Sequence, residues 1–160
     1  MRVLGGGKGV FKYRFRHPEA FEYYGYVSEQ ELEMMYAQAW LFVYPSLSEG
    51  FGYPPLEALR YHTPVIASRL TSIPEVLGEG ALYFDPFSIR QIMDRMMEME
   101  DAQTYSRMQQ LGNERFHEVR RRQDRDLDLL IDYLLGRDPL SSYSDGDAES
   151  KTADEDTAAQ

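Results

Sequence analysis

Along the middle of the chain, short apolar runs alternate with stretches whose apolar residues recur every three or four positions. The runs predict strands buried on both faces, as in a parallel sheet, and the stretches between them predict amphipathic helices. The predicted strands cover residues 41–44, 65–67 and 81–84. Strand and helix alternating with short connections predict an α/β fold with a parallel sheet.

Polar residues at the helix starts support this assignment. Ser28 and Glu31 have the spacing of a capping box, so a helix is expected from there to about Trp40. Pro54 and Pro55 are suited to the first turn of a second helix, which should end at residues 63–64.

Ser88 offers the cap of a third helix, in which apolar residues again recur at helical spacing. These residues are expected to pack in the core, and they are Ile89, Ile92, Met93, Met96 and Met97. Two more helices are predicted, one capped by Thr104 and one over residues 126–135 that ends at Gly136.

Composition excludes several classes of protein. The 160 residues suit one domain of ordinary size, and 42% of them are hydrophobic, which is enough for a core. Cysteine is absent, which excludes disulfides and cysteine-based metal sites. The apolar runs are too short for a transmembrane helix, and the first residues do not resemble a signal peptide, so a cytoplasmic protein is expected.

The net charge of −10 is concentrated at the C-terminal end, where residues 138–160 contain seven acidic residues and one lysine. Residues 137–160 are therefore predicted to form a disordered acidic tail. The tail could bind a partner, although a solvated terminus is the simpler interpretation. The rest of the chain is only mildly acidic, which allows an anionic small ligand but gives no support for a nucleic-acid partner.

The chemically most informative segment is residues 45–59, which leads from a predicted strand into a helix. Gly50 and Gly52 allow a sharp turn and a close approach of a ligand to the backbone. Glu49 and Glu57 could face one crevice there, where carboxylates can accept from the vicinal hydroxyls of a sugar or ribose. A tight turn and a favourable helix dipole would explain the same residues, so spacing alone leaves both interpretations open.

The succession of motifs resembles the retaining glycosyltransferases of the group 1, or family four, kind, which have two facing Rossmann-like domains (the GT-B architecture). The pair Glu49 and Glu57 matches the signature of two glutamates separated by seven residues in that family. The similarity extends over about residues 25–100. The matching segments are Gly25-Tyr26-Val27-Ser28, Phe42-Val43-Tyr44-Pro45-Ser46, Glu49-Gly50-Phe51-Gly52, Pro54-Pro55-Leu56-Glu57-Ala58, Thr63-Pro64-Val65-Ile66-Ala67-Ser68, Ile73-Pro74-Glu75-Val76 and Ala81-Leu82-Tyr83-Phe84-Asp85-Pro86.

The resemblance implies a Rossmann-like, nucleotide-sugar-binding domain and a role for each motif residue. Glu49 would be the catalytic glutamate that holds hydroxyls of the transferred sugar, and Glu57 would bind the ribose of a nucleotide diphosphate sugar. Residues that would bind the donor sugar or diphosphate are Gly50, Phe51, Gly52, Tyr53 and Pro54. Arg69, directly after a predicted strand, is a phosphate candidate by its position. Neither a metal nor a cofactor apart from the donor substrate is implied.

The chain also departs from the family pattern. The acceptor-binding domain and the Arg–Lys region that contacts the diphosphate have no counterpart in it. The basic cluster Lys8, Lys12, Arg14 and Arg16 could replace that region in part, although a solvated segment is the simpler interpretation. We expect an incomplete N-terminal segment (1–24), the Rossmann-like domain (25–103), C-terminal helices (104–136) and the acidic tail (137–160).

Three functions are compatible with these features. The first is transfer of a hexose with retention, with the acceptor domain supplied elsewhere, for example by a second chain, so that the isolated chain would be inactive. The second is a non-catalytic subunit that binds nucleotide sugars. The third is a protein-interaction remnant whose glutamates are only inherited. Turnover, binding without turnover, or a stable complex without nucleotide binding would distinguish the three.

Overall fold

The computed structural model describes residues 2–4, as backbone only, and residues 17–137. The chain divides into two compact units, Met1–His117 and Glu118–Gln160. The basic cluster at Lys8, Lys12, Arg14 and Arg16 and the acidic tail beyond residue 137 lie outside the described residues.

Five strands and five α-helices are described. They are β1 (Arg2–Leu4), β2 (Glu22–Tyr24), α1 (Glu29–Gln38), β3 (Phe42–Tyr44), α2 (Tyr53–Arg60), β4 (Val65–Ser68), α3 (Ile73–Leu77), β5 (Ala81–Phe84), α4 (Ile89–Glu98) and α5 (Ala102–Leu134). Short 3₁₀ turns at Pro18–Ala20 and Gly78–Gly80 complete the described elements.

All strand pairs in the described residues are parallel. Strands β1 and β2 form one pair, and β3, β4 and β5 form a second sheet with β4 in the centre. In that sheet Phe42 lies opposite Val65, and Val65 lies opposite Ala81. Helix α2 packs on β3 and β4, while α4 packs on β4 and β5. The predicted α/β class with a parallel sheet is therefore confirmed.

The helix starts follow the predicted chemistry. The Ser28 hydroxyl accepts from the Glu31 N–H, and the Ser28 N–H donates to the Glu31 carboxylate at 2.8 Å, which completes the capping box. Two prolines occupy the first turn of α2, where the missing N–H costs nothing. Ser88 caps α4 by accepting from the Gln91 N–H.

The core lies between the three-stranded sheet and the helices, and it includes Leu59 of α2 and Ile73 and Leu77 of α3. Every residue of β4 is buried, as expected for the central strand of a parallel sheet. Ile66 and Phe84 from the sheet cluster with Met99 and with Met108 of α5. The sheet is thereby anchored to the helices, and its carboxyl end is left for the connecting loops.

Two expectations about burial are wrong. Strand β3 is only half-buried, because it is an edge of its sheet in the described residues. On α4, Ile92 packs on the core as predicted, but Met93 is 54% exposed, and Ile89, Met96 and Met97 are also exposed. The apolar residues of α4 cover more of the helix surface than the part that contacts the sheet. The sequence pattern therefore predicted more buried residues than the packing allows.

A third difference concerns the C-terminal helices. The sequence predicts two, whereas the structure has one continuous helix, α5, which begins at Ala102. Its start is stabilised by Asp101, whose carboxylate accepts from the Thr104 N–H at 2.8 Å, so the cap lies three residues before the predicted one. In the described part of the chain, no helix is both long and apolar enough to cross a membrane.

Candidate functional site

The loop between β3 and α2, residues 45–52, leaves the carboxyl end of the parallel sheet, where ligands of open α/β sheets bind. Gly52 is the N-cap of α2 and has a φ of 95°, a backbone conformation that favours glycine. The N–H groups in the first turn of a helix lack partners within it and can face a ligand. Pro54 and Pro55 have no N–H, so in the first turn of α2 this donor is the N–H of Tyr53.

Glu49 is half-buried in this loop, and two hydroxyls hold its carboxylate. The Tyr44 hydroxyl donates to Oε1, and the Ser46 hydroxyl donates to the same oxygen at 2.7 Å. The hydrogen bond from Tyr44, and to a smaller extent that from Ser46, lowers the pKa of the Glu49 carboxyl group. Among the described residues no donor is bonded to Oε2, so this ionised group presents one open oxygen.

Tyr44 is affected in the opposite direction. Burial, followed by the hydrogen bond to the Glu49 carboxylate, raises the pKa of Tyr44 to about 12. The phenol therefore remains protonated at neutral pH and can act as a donor throughout the physiological range.

The loop after β4 holds the backbone around Glu49. The Glu49 N–H donates to the Thr71 hydroxyl at 3.3 Å, and the Ser72 hydroxyl lies 3.2 Å from the carbonyl oxygens of both Glu49 and Phe51. Thr71 has a φ of 53°, which is strained for a β-branched residue. Such strain persists only where surrounding contacts enforce it, and here it places a hydroxyl beside the Glu49 backbone.

Glu57 lies on the second turn of α2 and is exposed. The Tyr36 hydroxyl of α1 donates to its Oε2 at 3.3 Å. Tyr36 itself is only 4% exposed, and burial, followed by the charge of Glu57, raises its pKa. A buried phenol therefore reaches the surface of α2 and touches the second glutamate.

An aromatic row connects these two anchoring tyrosines. Phe42 lies between them, with its ring centroid 5.4 Å from that of Tyr36 and 5.9 Å from that of Tyr44. Tyr61 extends the row by stacking on Tyr36 at 6.1 Å. The two glutamates thus contact the hydroxyl ends of one packed set of rings, which we call the aromatic row (Tyr61, Tyr36, Phe42, Tyr44).

The other predicted residues of the turn lie on its outer side. The rings of Phe51 and Tyr53 are 4.6 Å apart, Tyr53 is 55% exposed, and Pro54 is half-buried in the first turn of α2. Among the described residues, apart from its two chain neighbours, no atom lies within 4 Å of the position that a Cβ on Gly50 would take, so the backbone there is open to approach.

Arg69 follows β4, and its side chain is exposed. Its guanidinium carbon lies 5.8 Å from the ring centre of Tyr83 on β5. Because β5 and β3 flank β4 on opposite sides, the side chain leans away from the strand that leads to Glu49. The predicted residues of the turn therefore lie between β3 and the first turn of α2, and Glu57 lies on the second turn of that helix. The side chain of Arg69 points to the other side of β4.

Sequence reasoning missed the hydroxyl groups around the glutamates. They are Tyr36, Tyr44, Ser46, Thr71 and Ser72. A local signal existed for Tyr44 and Ser46, which stand just before Glu49 at the end of a strand. The other three depend on contacts across 21 to 23 positions, which no local pattern shows.

The described residues contain no group of three or more His, Cys, Asp and Glu side chains that could hold a metal ion. The loop and the helix after it offer one anchored carboxylate, a second carboxylate on α2, and the backbone N–H groups of Gly50, Phe51, Gly52 and Tyr53.

Comparison with known proteins identifies relatives of this chain. Residues 12–115 match the family described as glycosyl transferases, group 1. Over 76 residues the chain is 45% identical to the O-antigen chain mannosyltransferase B of Escherichia coli, covering 48% of this chain and 20% of that protein. Over 60 residues it is 52% identical to the O-antigen chain mannosyltransferase RfbU of Salmonella typhimurium, covering 38% of this chain and 17% of that protein.

Solved structures share the fold. The chain superposes on a sucrose-phosphate synthase from Thermosynechococcus elongatus with a TM-score of 0.60 and 22% identity, covering 73% of this chain and 33% of that one. It superposes on the C-terminal domain of a glycosyl transferase group 1 family protein (LpcC) from Francisella tularensis with a TM-score of 0.55 and 27% identity, covering 61% and 52%. The chain spans about a fifth or less of the length of the two mannosyltransferases.

Proposed function

The chain belongs to the group 1 family of glycosyl transferases, and we propose that it is the half of such an enzyme that binds the nucleotide diphosphate sugar. The observation that carries the proposal is the ionised Glu49 carboxylate, held through Oε1 and open at Oε2, in the loop that leads into the helix bearing Glu57. The sugar would lie over the loop, and the ribose would lie along α2.

Each site residue then has a defined task. Glu49 accepts a hydroxyl of the transferred sugar near the reacting carbon, and Glu57 accepts from the ribose hydroxyls. The N–H groups of Gly50, Phe51 and Gly52, with that of Tyr53 at the first position of α2, stabilise the negative charge that develops on the leaving diphosphate. The proposed reaction is transfer with retention and without a metal or other cofactor, as the resemblance to the retaining glycosyltransferases implies.

The transferred sugar is proposed to be a mannose, because the two relatives quoted above are named as mannosyltransferases. Arg69 contributes to the diphosphate site by turning from the Tyr83 ring towards the loop. The acceptor is bound by a segment or second chain other than these 160 residues, so the isolated chain is expected to bind the donor without transferring the sugar.

The test is calorimetric titration of the purified chain with UDP, GDP and their hexose conjugates. Replacing Glu57 by Ala removes a charged acceptor for two hydroxyls and should weaken binding of every nucleotide about tenfold to a hundredfold. The matched control is Glu79→Ala, which removes an exposed glutamate on the 3₁₀ turn after α3 and should leave affinity unchanged.

Each outcome discriminates among the functions. Nucleotide binding that is lost in Glu57→Ala supports the donor site, and hexose transfer to an added acceptor fraction would show that the chain is complete as a catalyst. Binding without any transfer, even with candidate partner chains, favours a non-catalytic subunit. A folded chain that binds none of these ligands but forms a stable protein complex would refute the proposal in favour of an interaction role.

A further inference from the structure

We propose that Tyr36 and Tyr44 are positioning residues, each donating to one of the two motif glutamates, with Ser46 as a second donor to Glu49. The inference rests on the proposed donor site and assigns the two glutamates to different parts of the donor. Tyr44 and Ser46 serve recognition of the sugar, and Tyr36 serves recognition of the nucleoside.

The Glu49 carboxylate is fixed more firmly than a loop side chain ordinarily would be. Its two donors come from different backbone positions, Tyr44 at the end of β3 and Ser46 in the loop, and they meet at the same oxygen. Two donors on Oε1 restrict both the place and the plane of the carboxylate. The orientation of Oε2, the acceptor left for substrate, is therefore set before any ligand arrives, which reduces the entropy lost on binding.

The backbone beneath this carboxylate is fixed as well. The Ser68 hydroxyl donates to the carbonyl oxygen of Ser46 at 2.5 Å, and Thr71 accepts from the Glu49 N–H. Ser46 is thus held by the buried central strand at the same time as it holds Glu49. Loss of the Ser46 hydroxyl should therefore loosen the carboxylate while the loop backbone stays in place.

Glu57 needs an anchor for a different reason. It is an exposed side chain on a helix surface, where it could adopt several rotamers. The donor that reaches it belongs to Tyr36, whose ring is buried and whose carbonyl oxygen accepts from the Thr63 hydroxyl at 2.6 Å. A rigid donor next to a mobile acceptor selects one rotamer of the acceptor.

The aromatic row makes the two anchors one rigid unit. Each ring has only two side-chain torsions and packs against its neighbour, so the two hydroxyls keep a fixed separation. Phe42, which links them, lies on β3 and is paired with β4. The distance between the two acceptors offered to a donor substrate is therefore set by the sheet.

The two halves of the proposal predict different changes. Tyr44→Phe and Ser46→Ala should each reduce by about threefold to tenfold the extra affinity that the mannose group adds to the nucleoside diphosphate, while affinity for the diphosphate alone is unchanged. Tyr36→Phe should lower affinity for both ligands by the same factor. General destabilisation would not separate the ligands in this way.

The experiment uses the full 160-residue chain, titrated with GDP and GDP-mannose, or with the corresponding UDP pair if uridine binds better. Ser46→Thr, which keeps a hydroxyl, should retain the affinity of the wild-type chain. The control Tyr105→Phe removes a phenol that donates to the Trp40 carbonyl oxygen at 2.9 Å, before β3 and away from the loop. It should change neither affinity. Circular dichroism confirms that each variant is folded.

A second measurement does not depend on any ligand. The carboxyl carbon of Glu49 is labelled with ¹³C, and its signal is assigned with a Glu49→Gln variant. The signal is then followed as acid is added to the wild-type chain, to Tyr44→Phe and to Ser46→Ala. In Tyr44→Phe and Ser46→Ala the pKa of Glu49 should rise towards its ordinary value, because the donors that lower it are lost.

The inference is overturned if Tyr44→Phe weakens GDP and GDP-mannose equally, or if Tyr36→Phe affects only the sugar conjugate. If the wild-type chain binds no nucleotide, the proposed donor site fails, and the carboxyl titration then decides the positioning of Glu49 by itself. A Glu49 titration that is the same in Tyr44→Phe, Ser46→Ala and wild type overturns that part also.

Discussion

Replacing Gly112 by Ala tests the tightest packing found around a glycine in the described residues. In an exposed helix this change would stabilise the chain by about 1 kcal/mol, because alanine is the better helix former. Here a Cβ on residue 112 would lie 2.6 Å from Cδ2 of Leu59 and 3.4 Å from the Gly80 carbonyl oxygen. Ordinary carbon–carbon contacts are about 3.5–4.0 Å, so the overlap with Leu59 is roughly 1 Å.

Leu59 cannot yield this space easily. It is 1% exposed, and its other methyl, Cδ1, would lie 3.3 Å from a Cβ on Gly80, so both methyl groups are confined by glycines. Overpacking of a closed site costs about 1–3 kcal/mol. After the gain in helix propensity is subtracted, Gly112→Ala should destabilise the chain by about 1 kcal/mol. Urea unfolding followed by circular dichroism measures this as a lower midpoint at unchanged slope.

A matched control and a second background make the test decisive. Gly25→Ala, whose added Cβ has no described atom beyond its chain neighbours within 4 Å, should change stability by less than about 0.5 kcal/mol. Leu59→Ala alone should cost about 2–5 kcal/mol, and in that background Gly112→Ala should become stabilising because the overlap is gone. A Gly112→Ala variant that is more stable than wild type would refute the close approach of α5 to α2.

Two further predictions concern polar contacts. The Arg115 side chain donates to two carbonyl oxygens of α3 at 2.9 and 2.6 Å. Arg115→Met should therefore lower the free energy of unfolding, measured in urea, by about 2 kcal/mol. The control is Arg107→Met, which replaces an exposed arginine of the same helix and should change that free energy little. The pKa of Glu31 is lowered mainly by its hydrogen bond with the Ser28 N–H, and less by that with the Ser28 hydroxyl. The ionised Glu31 therefore stabilises the fold at pH values above the ordinary glutamate pKa of 4.5, and this stabilisation is lost as the pH falls through the lowered pKa of the folded state. Glu31→Gln should therefore be less stable than wild type at pH 7, with a difference that shrinks as the pH falls below 4.5; a difference independent of pH would refute this.

The sequence predicted well those features that depend on neighbouring residues. The capping box at Ser28 and Glu31, the proline start of α2 and the Ser88 cap all form as expected, because each is closed by groups within three or four positions. The buried strand β4 was also predictable, since a short run that is apolar throughout suits a strand covered on both faces. The family resemblance added the assignment of these elements to a Rossmann-like domain.

Predictions failed where the outcome depends on how much surface a neighbour offers. Met93 and Met97 have the spacing of core residues but are exposed, since the sheet contacts only a strip of α4. The predicted break in the C-terminal helices does not occur, and local polar residues gave no reliable sign of the continuity of α5. Burial is a property of the packed pair of elements, whereas periodicity belongs to one element alone.

By itself, the sequence determined the α/β class, the starts of α1, α2 and α4, and the two glutamates at the sheet edge. These features arise from residues close together in the chain, where chain connectivity already limits the geometry. Only the tertiary structure decided which oxygen of Glu49 is held, that Tyr36 reaches Glu57, and that Thr71 supports the loop. Those contacts join different elements, and their geometry is fixed by the register of the sheet and the packing of helices on it.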